Sequence, residues 1–225
     1  MEEKIMTAIV FDSVGKHKFE TGVSKGVLYP ASSTVVGTYD KGVAWNGLTA
    51  VTESPSGAEL TTLYADGIEY LNLLSAEKWE GTIEAYTYPD EFAACDGSTS
   101  LVPGVSIRQQ DRKAFALCYQ TVVGNDSNPS AGYKIHIIYG CLAQPTEQAH
   151  NTINETPEAM TMSWSVKATP VGVAGHKPSA TVCIDSTVVD AAKMTLLEAK
   201  LYGGTDTDPT VLLPDEIATL VGAAG

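Results

Sequence analysis

Apolar and polar residues alternate at every second position through much of this chain. In Met160–Lys167 the apolar set Met160, Met162, Trp164 and Val166 alternates with Thr161, Ser163, Ser165 and Lys167. A half-buried strand puts these two sets on opposite faces. Tyr133–Leu142 alternates less cleanly. Tyr133, Ile135, Ile137, Tyr139 and Cys141 share one face, while Ile138 and Leu142 make the other partly apolar. That pattern predicts a strand covered on both sides. Lys78–Tyr86, Ala114–Val122 and Ala180–Asp185 are further strands, rich in β-branched or aromatic residues. Asp66-Gly67, set between Leu60–Ala65 and Ile68–Ser75, predicts a hairpin with a type I′ turn.

Helical signals are few. Pro89-Asp90-Glu91 opens a short helix through Cys95, with Pro89 at the first helical position and Gly97 as its stop. Asp190 caps a longer helix through Tyr202, ended by Gly203-Gly204, with Met194, Leu197 and Leu201 as its apolar stripe. Pro214-Asp215-Glu216 opens a last helix that Gly222 closes. Thr21–Ala58 is glycine-rich and holds Pro30 and Pro55, so it reads as a mobile arm with one strand near Ala44–Val51. Gly124–Gly132 reads as a long hairpin tip. The expected organisation is an N-terminal strand and arm (1–58), a β-rich core (59–187) and a helical C-terminal extension (188–225).

Composition narrows the function. The chain has 225 residues, 44% of them hydrophobic, and a net charge of −13. That is enough apolar material for a real core. A basic nucleic-acid-binding face, which needs clustered Lys and Arg, is excluded. Between Glu53 and Asp96 stand ten acids and one base, Lys78. The first seven residues lack a basic region followed by an apolar core, so no secretory leader is expected. No run approaches the ~18 apolar residues of a membrane span. Cys95, Cys118, Cys141 and Cys183 form no CxxC pair, and all four are expected as buried, reduced thiols.

Catalytic signals are weak. Gly22-Val23-Ser24-Lys25-Gly26 matches G-x-S-x-G, but charged residues precede it and Pro30 follows, so it reads as a flexible loop. His17, His136, His150 and His176 are scattered, and His136 is expected as a hydrogen-bonded rim histidine. Asp126 begins a calcium-loop-like run, but the twelfth position is Ile137 rather than Glu. No phosphate-cradling loop, metal cluster or triad is visible. No catalytic residue, cofactor or metal is therefore expected.

Five segments taken in order resemble the major tail proteins of long-tailed bacteriophages, the subunits of the tail tube. The first is Tyr64–Leu71 (YADGIEYL) running into Glu77–Tyr86 (EKWEGTIEAY). The second is Tyr88–Phe92 (YPDEF) with Cys95-Asp96-Gly97. The third joins Phe115–Tyr119 (FALCY), Gly124-Asn125-Asp126 and Gly132–Gly140 (GYKIHIIYG). The fourth holds Pro157-Glu158, Ser163-Trp164-Ser165 and Thr169-Pro170-Val171. The fifth holds Leu196-Leu197-Glu198, Leu201-Tyr202-Gly203 and Leu213–Glu216 (LPDE).

The resemblance implies a mainly β, α+β fold: an antiparallel β-sandwich or partial barrel with one flanking helix. It implies a non-enzymatic virion protein, assembled in the host bacterial cytoplasm, that forms hexameric rings stacked as a tail tube. Its implied partners are its own copies, a tape-measure protein, and tail terminator and distal tail proteins. DNA would be a partner only in transit through the lumen, without specific binding, and no membrane is involved. If Trp79, Gly81, Ile83 and Ala85 face the core, then Glu80, Thr82 and Glu84 face outward and are the lumen candidates. Gly37, Asp40 and Gly42, with Asn125, Asp126 and Asn128, are the candidate contacts between rings. A different class of protein fits the alternation and the content of ten Tyr and three Trp: a monomeric β-sandwich carbohydrate-binding or adhesion module. A third reading is a hydrolase using Ser24.

Overall fold

A computed structural model describes residues 9, 11–33, 37–150, 152 and 159–222. Its twelve strands are β1 (Lys18–Pro30), β2 (Val43–Trp45), β3 (Leu48–Glu53), β4 (Leu60–Ala65), β5 (Ile68–Leu74), β6 (Glu80–Ala85), β7 (Thr99–Val102), β8 (Val105–Ile107), β9 (Phe115–Asn125), β10 (Gly132–Gln144), β11 (Met162–Ala168) and β12 (Thr181–Asp185). The helices are α1 (Ala93–Asp96), preceded by a 3₁₀ turn at Asp90–Phe92, α2 (Ala191–Leu201) and α3 (Pro214–Gly222). The fold is mainly β, as the alternation predicts.

One sheet carries the order β2-β1-β9-β10-β11-β6-β3, and every pairing is antiparallel. The thirteen-residue β10 serves two neighbours besides β9. Lys134–Ile138 pairs with β12, and Cys141–Gln144 pairs with β11. The outermost strands β2 and β3 are joined only by Asn46-Gly47. The sheet is therefore rolled on itself and tied at its rims by a two-residue turn, while no ladder closes it into a barrel.

The central strands are covered on both faces, which explains their nearly continuous apolar runs. Inside the roll lie Leu28, Trp45, Ile83, Phe115, Leu117 and Trp164. Phe92, carried by the turn before α1, plugs this core. Its ring centroid is 4.5 Å from that of Trp45 and 5.1 Å from that of Trp164. On the outer face Tyr29, Ile135, Ile137 and Tyr139 pack against Met194, Leu197 and Leu201 of α2 and Ile217 of α3. The C-terminal segment is thus a structural layer over the sheet. Asp190 caps α2 through the backbone N–H groups of Ala192 and Lys193, and the Tyr29 and Tyr139 hydroxyls donate to the carbonyls of Leu201 and Leu212.

The structure changes four expectations. Thr21–Ala58 is not chiefly an arm, because it supplies most of β1 and all of β2 and β3. Its glycines mark bulges and close approaches instead of flexibility. The β1–β9 register shifts on both sides of Ser24, and a Cβ on Gly26 would lie 2.2 Å from Leu48 Cδ1. Cys141 does not share a face with Ile135, Ile137 and Tyr139. A bulge between Ile138 and Cys141, with Gly140 at φ 58°, turns Cys141 into the inner core. Pro89 sits before the helical turn, as its cap, in extended conformation. Cys183 is exposed, whereas Cys95, Cys118 and Cys141 are buried thiols. Burial pushes Cys95 and Cys118 up to about 12.

Candidate assembly surface

The hairpin β4–β5 stands apart from the main sheet as a separate two-stranded ribbon. Asp66 and Gly67 form its turn with φ of 52° and 77°, as a type I′ turn requires. Its base is fixed by a bridge between Ser56 and Lys78 and by paired backbone and side-chain bonds between Glu59 and Ser75. Above that base it pairs with no other strand among the described residues. Leu60 and Leu74 form a cross-strand pair on one face, and Leu63, Leu71 and Leu73 lie on the other. All five are exposed, as are Tyr64 and Tyr70. A ribbon apolar on both faces is built for burial on both faces, and an isolated hairpin is marginal in water. Leu60, Leu63, Leu71, Leu73 and Leu74 are the candidate contact residues that strand periodicity alone did not single out. The signal was present: LTTLYADGIEYLNLL has leucines in both alternation phases.

The lumen candidates lie together on β6. Trp79, Gly81, Ile83 and Ala85 are buried, and Glu80, Thr82 and Glu84 alternate with them, half-buried, on the other face. Glu80 is not a free charge. Lys167 Nζ lies 2.9 Å from Glu80 Oε1 and holds its carboxyl below the ordinary range. Among the described residues Glu84 makes no ion pair, so it carries the open negative charge of this face.

The two candidate contact loops are not one cluster. Gly37, Asp40 and Gly42 flank the Pro30 end of β1, and Asn125, Asp126 and Asn128 lie at its Lys18 end, where Lys18 pairs with Asn125. Thirteen residues of strand, about 40 Å at ~3.3 Å each, separate them. Both loops are engaged within the chain. Asp40 pairs with Lys113 at 2.9 Å, and Gly42 is buried against the Tyr29 ring, with its N–H bonded to Pro209 O. Asn125 Oδ1 accepts from Ser127 N and Asn128 N, and Asp126 accepts from Gly15 N. Gly15 and His17 hold Asp126 below the usual carboxylate range.

A polar cavity of about 630 Å³ opens between β1, β3, β9, β10 and β12. In it Glu20 accepts from Lys134 Nζ at 2.6 Å and Thr121 Oγ1 at 2.6 Å, and pairs with His136 at 3.1 Å. Tyr119 stacks on His136 and donates to Glu53. His136 is a hydrogen-bonded rim histidine, as expected. Lys134, and secondarily Thr121, hold Glu20 below its ordinary value. Among the described residues no three His, Cys, Asp or Glu side chains meet as metal ligands. Ser24 sits within β1, not at a strand-to-helix turn, and its hydroxyl donates to Gln120 O. All three tryptophans are core residues, so any aromatic platform for a sugar would fall to smaller exposed rings such as Tyr64, Tyr70 and Tyr86.

The fold and this surface define a class: an antiparallel β-rich protein with an exposed apolar ribbon that pairs with no other strand among the described residues. No family model and no curated protein matches the sequence. Among solved structures, a chain of the six-fold symmetrised anti-feeding prophage baseplate is similar at 6% identity and TM-score 0.37, covering 80% of this chain and 97% of that one. A chain of the sheath-tube complex of an extracellular contractile injection system gives 9%, 0.31, 72% and 88%. A chain of the anti-feeding prophage tube-terminating cap gives 10%, 0.32, 83% and 100%. Likeness this loose leaves the argument to the chain's own residues.

Proposed function

We propose that this chain is a non-catalytic structural subunit that polymerises into the tail tube of a long-tailed phage, as hexameric rings stacked around a lumen that passes DNA. The observation that carries the reading is the β4–β5 hairpin, apolar on both faces, exposed, and paired with no other strand among the described residues. The ordered sequence resemblance supports it. A heterologous contact, in which the hairpin of one copy lies on a different surface of the next, closes into a ring or continues as a filament. The ordering cost of such a ribbon is offset only in the polymer. Negative-stain microscopy and sedimentation of the concentrated protein test this. Rings or tubes are expected, and a particle that stays monomeric at every concentration overturns it.

Within that reading the β6 face, with Glu80, Thr82 and Glu84, lines the lumen, and its open charge at Glu84 repels phosphates weakly over the ~8 Å that screening allows. Virions carrying Glu80→Lys/Glu84→Lys should assemble and eject DNA poorly. Normal infectivity sinks the lumen assignment. Tape-measure, terminator and distal tail proteins are the partners this role calls for.

A further inference from the structure

The chain contains two arginines, Arg108 and Arg112, and both line one cleft of about 370 Å³. The segment before β9, which carries them, is pinned to α1: Gln110 N bonds to Gly97 O and Lys113 N to Ala94 O. Arg112 is fixed in place, with Nη1 donating to Ala143 O at 3.0 Å. Arg108 is exposed. Among the described residues neither guanidinium meets a carboxylate within 4.0 Å. Asp96 is the acid in the cleft, and its Oδ1 already accepts from Ser98 Oγ at 2.7 Å. Gln110, Gln144 and Gln148 add amide groups to the wall.

Trp164 lines the same cleft and is 2% exposed, and among the described residues its buried Nε1–H has no hydrogen-bond partner. The other two indoles are satisfied: Trp45 Nε1 donates to Thr87 O, and Trp79 Nε1 to Glu53 Oε2. A buried donor without an acceptor is costly and rare in native proteins. Planar guanidinium forks are suited to carboxylates, which accept two parallel N–H bonds. Two guanidinium forks in one cleft, neither meeting a carboxylate among the described residues, suit a carboxylate brought by a partner.

The β4–β5 ribbon offers one. Its turn carries Asp66 and its second strand Glu69, and no base lies between Glu53 and Lys78. Asp66 makes no ion pair among the described residues, and Glu69 is held only by the side-chain amide of Asn72. We infer that the Arg108–Arg112 cleft is the receptor for the acidic tip of the β4–β5 hairpin of a second copy of this chain, with Asp66 or Glu69 as the bound carboxylate. This rests on the assembly reading above and assigns its contact. The leucines supply area, and the arginine cleft supplies register.

The test is a charge swap read by sedimentation velocity over a concentration series. Arg108→Glu removes an exposed guanidinium that makes no hydrogen bond or ion pair among the described residues, so its thermal melt should match the parent. Arg112→Gln is a second, milder variant. Charge-assisted bonds of this kind predict a rise in the concentration needed for assembly on the order of ten- to a hundredfold for Arg108→Glu. Asp66→Lys/Glu69→Lys should weaken assembly similarly. In an equimolar mixture of Arg108→Glu and Asp66→Lys/Glu69→Lys, contacts between unlike copies are complementary again, so the mixture should assemble by alternating the two where each variant alone does not. If both arginine variants and the lysine variant assemble as the parent does, the cleft assignment is overturned and the assembly reading stands. If the variants fail and the mixture does not recover, the hairpin tip is not the occupant. If the parent itself never assembles, the assembly reading falls and this contact with it.

Discussion

Replacing Leu60 and Leu74 by serine removes an apolar cross-strand pair that the isolated subunit leaves in water. Leu60 is 64% exposed and Leu74 67%. Burying a whole leucine stabilises by about 1.5–3 kcal/mol, so covering the remaining two-thirds at an interface contributes about 1–2 kcal/mol for each residue. The pair is then worth about 2–4 kcal/mol per subunit contact, or roughly a 30- to 700-fold higher concentration for assembly of Leu60→Ser/Leu74→Ser. Within the free subunit the same change costs only the cross-strand contact, about 0.2–1 kcal/mol, and that loss is confined to a ribbon outside the main sheet. The main melting transition should therefore shift by no more than about 2–4 °C. Sedimentation velocity over a concentration series reads the first quantity, and circular dichroism melts read the second. Assembly at the parental concentration refutes the reasoning. So does a melting point that drops by much more than this, because it would mean the leucines already support the subunit.

Three further outcomes follow from other parts of the structure. Gly140→Ala should lower the melting temperature clearly. The new Cβ would stand 2.7 Å from Thr169 O at a positive φ, and the bulge that turns Cys141 inward would have to shift. Glu20 has a folded-state pKa below its unfolded value near 4.5, so its ionised form stabilises the fold above that pH, and the contribution is lost as pH falls through the depressed value. Glu20→Gln should accordingly flatten the acid limb of the stability profile below about pH 4.5, and an unchanged limb in acid titration monitored by circular dichroism removes this role. In the folded protein one thiol, Cys183, should react with a neutral-pH thiol reagent. All four should react after unfolding, so a count of none or four in the native state contradicts the burial pattern.

Much of this architecture could be read in advance where local chemistry and tertiary packing agree. The Asp66-Gly67 turn, the Asp190 cap, and the strands around Trp164 and Ile83 are fixed by near-neighbour rules, and they form as those rules require. Gly22 and Gly26 were misread because composition does not distinguish a glycine that bends a strand from one that frees a loop. Only the approach of Leu48, from the far rim of the sheet, decides it. Cys141 was placed on the wrong face because a single bulge at Gly140 inverts the alternation after it. The β7–β8 hairpin was passed over despite Pro103-Gly104, a clear turn dipeptide. The hairpin leucines and the arginine cleft were harder to see. An unpartnered surface is defined by what fails to cover it, and periodicity counts faces without saying which ones stay bare.

The pairing of β1 with β9 also sets an order on synthesis. Pro30 must wait for Phe115, and Lys18 for Asn125. At roughly 5–20 residues per second the first long strand leaves the ribosome on the order of 5–20 s before its partner exists. During that interval only its Gly26–Leu28 stretch has a partner, the short β2, and the rest of the strand is an unpaired edge. Lys18, Glu20 and Lys25 keep it hydrated, and Gly22, Gly26 and Pro30 break its regularity. The residues that bend β1 into the finished roll also guard the nascent chain against pairing with its neighbours on the same message too early.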